Sequence, residues 1–295
     1  MLAKMRLSVL IPTLRRPEQL GETLESVLAA DPPPHEIVVI DGDSERSAEP
    51  VLDAVRAEDG PQLVYIAGEP SVTKQRNLGI DRASGDIVIF LDDDVAVGAD
   101  LFAVLERAFA DETVVGATGP VVEPPAHRFG GAQSGFRRIL FAGVPEGSFT
   151  DFGYPRYVVD KTVERDVEFM PGCLMSVRRN VAATIRFDET MTGYALAEDE
   201  DFSYRASRAG RIRFLPEAPI EHKKTGFSSA NARELGEKVV VNRAYLFRKN
   251  FNPRLWTRLQ FAFLIGMLLA HRVVNREWAS ARGILDGIGT TWRRA

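Results

Sequence analysis

The sequence is short of cysteine, of net charge and of long apolar runs, and each shortage narrows what the chain can be. Its 295 residues include one cysteine, Cys173, so an intrachain disulfide is excluded, which fits a reducing, cytoplasmic compartment. The formal net charge is only -4, which gives no bias toward nucleic acid or any other polyanion. No apolar run reaches the roughly 20 residues of a confident membrane span. The nearest, Leu259 to Ala270, lies between Arg258 and Arg272. Lys4 and Arg6 precede the apolar Leu7 to Ile11 in the manner of a short signal peptide, but Pro12 interrupts the run and no small-residue cleavage site follows, so a first strand is expected. After that strand comes Pro12-Thr13-Leu14-Arg15-Arg16, without the glycine-rich phosphate loop of a nucleotidyltransferase. Internal repeats and low-complexity tracts are absent as well.

What is present is an alternation of short apolar runs and amphipathic segments. Leu7 to Ile11, Ile37 to Ile40, Leu63 to Ile66, Ile87 to Leu91 and Val114 to Ala117 read as strands. Between them, Leu20, Leu24, Val27 and Leu28 recur at helical spacing behind Pro17. Helices are also expected around Val51 to Val55, from Ser71 or Thr73 to about Ala83, and from Ala99 to Ala110. Strand–helix alternation of this kind predicts an α/β fold with a doubly wound, mostly parallel sheet. The rhythm is lost between about Pro120 and Phe169, which is rich in Gly, Pro and aromatics and reads either as an acceptor-facing lid or as a plain surface excursion. It returns as a strand over Phe169 to Val177 and another over Arg211 to Leu215.

Chemistry concentrates at a few places. Asp92-Asp93-Asp94 stand at the carboxyl end of the buried strand Ile87 to Leu91, where open α/β sheets bind ligands. Adjacent carboxylates repel unless a cation sits among them, so a divalent metal with a phosphorylated substrate is one reading. A solvated acidic turn or a helix cap is the other. Asp41 and Asp43 flank Gly42 beyond the second strand and can accept from a base or a ribose, or simply form a turn. Lys74 and Arg76 lie on the helix before the acidic triplet, facing a phosphate or nucleobase or else solvent. Glu198, Asp199, Glu200 and Asp201 fill the first turn of a helix that Gly210 ends. There the dipole favours anions for stability alone, and also keeps a carboxylate ionised for service as a general base. His222 is either a third metal ligand, a diphosphate contact or an ordinary surface residue.

These pieces, in this order over roughly residues 5 to 228, resemble an inverting glycosyltransferase of family 2 with the GT-A fold. The resemblance rests on Leu7-Ser8-Val9-Leu10-Ile11-Pro12-Thr13, Ile37 through Ser44, Arg76-Asn77-Leu78-Gly79, Leu91-Asp92-Asp93-Asp94, Pro171-Gly172-Cys173 and Glu198 through Arg205. It implies a Rossmann-like nucleotide-sugar-binding half at 1–119, an acceptor-binding and catalytic half at 120–230, and a helical extension at 231–295. It implies a nucleotide-diphospho-sugar donor, a glycan or lipid-linked glycan hydroxyl as acceptor, and Mg2+ or Mn2+ as cofactor, in polysaccharide or glycolipid synthesis. By similarity, Pro12 and Thr13 line the nucleotide crevice, Asp41 and Asp43 meet the base side, and Arg76 holds the nucleotide. The triple Asp resembles the family's DXD element. Asp94 would bind the metal with Asp92 and His222, while Asp92 or Asp93 touches the ribose or a metal-bound water. Asp199 matches the catalytic base, with Glu198 its rival. Leu14-Arg15 stand where the family commonly has an aromatic-Asn pair. A degenerate, non-catalytic nucleotide-sugar-binding protein is the alternative reading.

The last stretch differs in kind. From Arg243 onward it carries ten Arg and Lys, opposed only by Glu277 and Asp286. Dense Arg beside an apolar stretch predicts an interfacial helix on the inner, anionic face of a membrane. Packing on the catalytic domain or a homodimer interface is the competing expectation.

Overall fold

The computed structural model describes residues 5–123, 140–192, 195–223 and 231–293. Parts of the irregular middle, including Pro124-Pro125 and Gly130-Gly131, lie outside these residues. So do Lys4, Lys224 and Arg294.

The chain divides into two compact units, one of 1–126, 158–194 and 198–224, the other of 127–157, 195–197 and 225–295. The first holds the expected α/β core. Its strands are β1 (Leu7–Thr13), β2 (Glu36–Asp41), β3 (Gln62–Ala67), β4 (Ile87–Leu91), β5 (Val95–Val97), β6 (Val114–Thr118), β7 (Val121–Val122), β8 (Arg165–Val167), β9 (Leu174–Arg178), β10 (Arg211–Phe214) and β11 (Ile220–His222). Its helices are α1 (Pro17–Leu28), α2 (Glu49–Val55), α3 (Val72–Arg82), α4 (Leu101–Phe109), α5 (Arg179–Ile185) and α6 (Glu198–Ser207).

The main sheet runs β3-β2-β1-β4-β9-β6-β10-β8, and a small one runs β5-β11-β7. Strands β3, β2, β1 and β4 are parallel neighbours. β9 enters antiparallel between β4 and β6, and β8 closes the far edge antiparallel to β10. The central strands β1, β2 and β4 are buried along their whole length and largely apolar, as befits strands covered on both faces, whereas the edge strands β3 and β8 are partly exposed. Successive side chains alternate between two cores. Val9, Ile11, Ile37, Val39, Ile87 and Ile89 join Leu20, Leu24 and Phe102 on one side. Leu10, Val38, Ile40, Val88 and Phe90 join Ile80, Phe187 and Phe202 on the other. There Phe187 stacks on Phe202 with ring centroids 4.3 Å apart, and Phe90 meets both rings edge-on. Aromatic clusters of this geometry add to simple area burial.

β1 has β2 on one side and β4 on the other, so the winding direction reverses between β1 and β4. At their carboxyl ends this leaves the crevice in which open α/β sheets bind ligands. Thr13 ends β1 and Asp92 follows β4 at this point.

The second unit is built on α7 (Ala232–Asn250), α8 (Leu255–Val274) and α9 (Trp278–Arg293). Glycines bring α7 and α9 together: a Cβ on Gly283 would meet the Arg233 carbonyl oxygen at 1.9 Å, and one on Gly236 the Ser280 oxygen at 2.4 Å. Two small cores hold it, Phe152 with Phe247 and Leu264, and Val240 with Ile265 and Ile284. The apolar run seen in the sequence is thus the middle of a longer, 20-residue helix, α8, which is long and apolar enough to cross a membrane by length and composition.

Candidate active site

The acidic triplet lies in the turn between β4 and β5 rather than on extended backbone. Strand alternation therefore does not set the directions of Asp92, Asp93 and Asp94. Thr13 at the end of β1 donates its hydroxyl to Asp93 Oδ2 at 2.7 Å. Arg16 lays its fork across two carboxylates, Nη1 to Asp93 Oδ1 and Nη2 to Asp94 Oδ2, each at 2.7 Å. The bend that aims it passes through Arg15, whose φ of 55° is in the left-handed region. In the sequence Arg16 is marked only as one of a pair of arginines directly after a strand.

His222 reaches the triplet through β11. That strand pairs antiparallel with β5, in register His222 against Val95, and the Lys223 N–H donates to the Asp94 carbonyl at 2.9 Å. His222 Nε2 then lies 3.1 Å from Asp94 Oδ1. One ligand atom each from Asp92, Asp94 and His222 fall within 4.8 Å of one another. Two carboxylate oxygens and one imidazole nitrogen suit a hard-to-borderline divalent cation such as Mg2+ or Mn2+. Arg16 already offsets part of the negative charge here through Asp93 and Asp94, so it competes with a cation held by these ligands.

The charges follow from these contacts. Burial pushes the Asp93 carboxyl up to about 6, against the opposing pull of Thr13 and Arg16. Burial also works to raise Asp94, but hydrogen bonds from His222 and Arg16 win and hold it well below the ordinary carboxylate range. The same bond to Asp94 raises His222.

α3 joins this cluster to the second one. Arg76 is only 1% exposed. Its Nη1 donates to Glu198 Oε1 at 2.8 Å, and its Nη2 to Asp92 Oδ1 at 3.2 Å and to the Gly172 carbonyl at 3.0 Å. Its guanidinium stacks over Phe187, 5.2 Å from the ring centroid. Asp199 accepts from the Gly172 N–H at 3.0 Å through Oδ2 and from the Glu200 N–H at 2.9 Å through Oδ1. Glu198 is raised to about 7 by burial and by the neighbouring Asp199 charge, with Arg76 pulling the other way. Arg76 thus joins Asp92 of the acidic triplet to Glu198 at the start of α6.

The remaining expected residues lie along the crevice. Pro12 is buried in β1, paired with Ile40. Asp41 is wholly buried and takes the N–H groups of Asp43 and Ala48 and the Tyr65 hydroxyl. Asp43 accepts from Arg15 Nε at 3.1 Å. Gln75 of α3 fastens the strand ends, donating to the Thr13 and Ile40 carbonyls.

The family model described as Glycosyl transferase family 2 matches residues 8–185. The succinoglycan biosynthesis protein ExoM of Rhizobium meliloti (strain 1021) is 33% identical over 113 residues, 37% of this chain and 36% of that protein. A GalNAc(5)-diNAcBac-PP-undecaprenol beta-1,3-glucosyltransferase of Campylobacter jejuni is 32% identical over 30% of this chain and 29% of its own. The alignments thus span about a third of these curated relatives. Among solved structures, the mannosyltransferase PcManGT from Pyrobaculum calidifontis in complex with GDP-Man and Mn2+ superposes with a TM-score of 0.62 at 16% identity, over 98% of this chain and 87% of that one. GalNAc-T7 with UDP, GalNAc and Mn2+ gives 0.59 at 18% identity, over 84% of this chain and 50% of that one. Both likenesses are of fold.

Proposed function

The chain belongs to glycosyl transferase family 2, and from that premise we propose that it transfers a sugar from a nucleotide-diphospho-sugar to a hydroxyl acceptor, with inversion, in the synthesis of a polysaccharide or glycolipid. The observation that carries this reading is the Arg76 tie, which holds Asp92 and Glu198 on one guanidinium and supports a reading in which the acids after β4 and Asp199, beside Glu198, serve one reaction. The names of two relatives, one concerned with succinoglycan and one with an undecaprenol-linked glycan, favour a glycan or lipid-linked glycan as acceptor. The Mn2+ in two structural neighbours supports Mg2+ or Mn2+ here.

The residues divide the work by position. Asp94, Asp92 and His222 would hold the divalent cation. That ion, when bound, neutralises the charge that grows on the departing diphosphate. Pro12, Thr13 and Asp93 line the nucleotide crevice at the strand switch, and Asp41 and Asp43 shape its base side. Arg16 keeps a positive charge beside Asp93 and Asp94, where the phosphates approach. Asp199, both of whose oxygens are oriented by backbone N–H groups, takes the proton from the acceptor hydroxyl as its oxygen attacks the anomeric carbon. Attack opposite the leaving group inverts the centre. Glu198 is the less suited base, because Arg76 binds its carboxylate and burial already biases it toward the protonated form. Arg76 is a positioning residue that fixes Asp92 and Glu198 relative to one another.

The test is a thermal-shift screen of nucleotide-sugars with and without Mn2+, followed by turnover of the stabilising donor. Donor binding should raise the melting temperature. Asp199→Asn should bind the donor as before while losing transfer by at least about a thousandfold, within the range expected for loss of a positioned base and its charge. Asp94→Ala should lose the Mn2+-dependent part of the shift. Wild-type turnover by Asp199→Asn, or a Mn2+ response unchanged in Asp94→Ala, refutes these roles. A protein that binds donor yet neither transfers nor hydrolyses it would instead be a binding module.

A further inference from the structure

The solvent face of α8 is apolar from end to end. Leu255, Trp256, Leu259, Ala262, Phe263, Gly266, Ala270, Val273 and Val274 are all exposed. Their spacing of three and four residues puts them on one stripe, along a helix of 20 residues that is about 30 Å long at 1.5 Å per residue. Leu255 is 76% exposed, Trp256 69% and Val274 79%. A stripe of this extent exceeds the scattered apolar exposure normal on a soluble surface. The opposite face is taken: Leu264 packs with Phe247 and Phe152, and Ile265 with Val240 and Ile284.

Arginines border the stripe at both ends, with exposed Arg254 and Arg258 at one and Arg276 at the other. Trp278 and Leu285, 58% and 54% exposed, continue the apolar surface onto α9 beside exposed Arg282. The acids nearby are committed, Glu277 to Arg272 and Asp286 to Arg233.

We infer that this face of α8 docks on the headgroup–acyl boundary of an anionic bilayer, the helix lying in the membrane plane. Charge decides between a bilayer and a second copy of the chain. Both ends of the stripe are positive, so stacking two copies face to face brings arginine to arginine in parallel and antiparallel arrangements alike. A bilayer offers hydrocarbon for Trp256, Leu259 and Phe263 and phosphates for the arginines. Packing decides between lying flat and spanning. A spanning α8 would have to leave Phe247, Val240 and Ile284, which hold its inner face.

The experiment is co-sedimentation of the full chain with vesicles of phosphatidylcholine alone or with 30% (about one lipid in three) phosphatidylglycerol, with light scattering of the free protein. Wild type should partition at least about tenfold more strongly onto the anionic vesicles, and less so at high salt. Leu259→Glu with Phe263→Glu should abolish binding while leaving the melting temperature unchanged, since both side chains are exposed. Arg254→Gln with Arg258→Gln should weaken binding by about fivefold per arginine. Equal partition of wild type and the Glu variant overturns the inference. So does a dimer in solution that the Glu variant breaks, which would assign the face to a second copy. Resistance of the vesicle-bound protein to alkaline carbonate extraction would assign it to a spanning helix.

Discussion

Replacing Arg76 by methionine tests the tie at the centre of the pocket. The side chain is 1% exposed and neutralises Glu198 and Asp92 at 2.8 and 3.2 Å. Removing one partner of a buried ion pair costs about 3–5 kcal/mol, because the other charge stays buried without compensation. Asp92 keeps about a third of its side-chain exposure and can turn to water, so most of the penalty falls on Glu198, at 14%. Glu198 has an escape, which is to protonate. Burial and the Asp199 charge already raise it to about 7 with Arg76 present, and without the guanidinium it rises further.

The pH dependence follows from that direction. A carboxyl whose folded pKa lies above its unfolded value binds more protons folded than unfolded, so stability falls as pH rises through that window, by about 1.4 kcal/mol per pH unit per proton. In wild type the fall from this group ends near neutrality. In Arg76→Met it continues above pH 7. The difference between the two proteins should be about 1–2 kcal/mol at pH 6, where Glu198 is largely neutral in both and the hydrogen bonds to Gly172, Asp92 and the neutral Glu198 are lost without leaving a buried charge. It should widen to about 3–5 kcal/mol at pH 8.5. In thermal melts this is roughly 2–4 °C per kcal/mol for a unit of this size. Arg76→Met with Glu198→Gln should recover most of the loss at pH 8.5. A deficit that is flat between pH 6 and 8.5, or a double variant no more stable than Arg76→Met, would refute the tie.

Two further outcomes are expected. Arg16→Gln removes the guanidinium that bridges Asp93 and Asp94; Arg16 is one-third exposed, so the gain is screened, and Mn2+ alone should bind up to about fivefold more tightly, read by titration calorimetry, with unchanged or weaker Mn2+ binding counting against Arg16 as a competing cation. Glu36, buried at 2% exposure, accepts hydrogen bonds from Ser8 and twice from Ser84, and although burial alone raises its carboxyl these bonds bring it below the ordinary value. Its contribution is therefore present above the unfolded pKa and lost as pH falls through the lower, folded one, so Glu36→Gln should cost about 1–3 kcal/mol at pH 7 and progressively less as pH falls below the ordinary carboxylate range in urea unfolding; a cost independent of pH would show that the charge is irrelevant.

What could be read from the sequence was whatever is local and apolar. β4 coincides with the run Ile87 to Leu91, because a strand buried on both faces is apolar at every position and polar residues mark its ends. α1 starts at Pro17 as expected, since proline's fixed φ suits a first turn. α3 gave a weaker pattern for a physical reason: its buried side chains include Thr73, Gln75, Arg76 and Asn77, which are polar because they bond strand ends and site residues rather than a core. A hydrophobic period cannot reveal a helix whose inner face makes hydrogen bonds.

The same reasoning separates the site residues. Asp94 stood out because three carboxylates end one strand. His222 could be named but not placed, since β11 has three residues and its partner β5 lies more than a hundred residues upstream; only that register sets the imidazole against Asp94. Arg16 and Arg76 show two fates of a cation that reads as solvated. Each lies beside an acidic cluster whose repulsion must be offset by something. Three adjacent aspartates therefore predict a nearby fixed cation as firmly as a bound metal, and in this chain the two arginines take that place, Arg16 on Asp93 and Asp94 and Arg76 on Asp92. If so, removing either guanidinium should leave the carboxylates it holds uncompensated, which the Mn2+ titration of Arg16→Gln and the melts of Arg76→Met read independently.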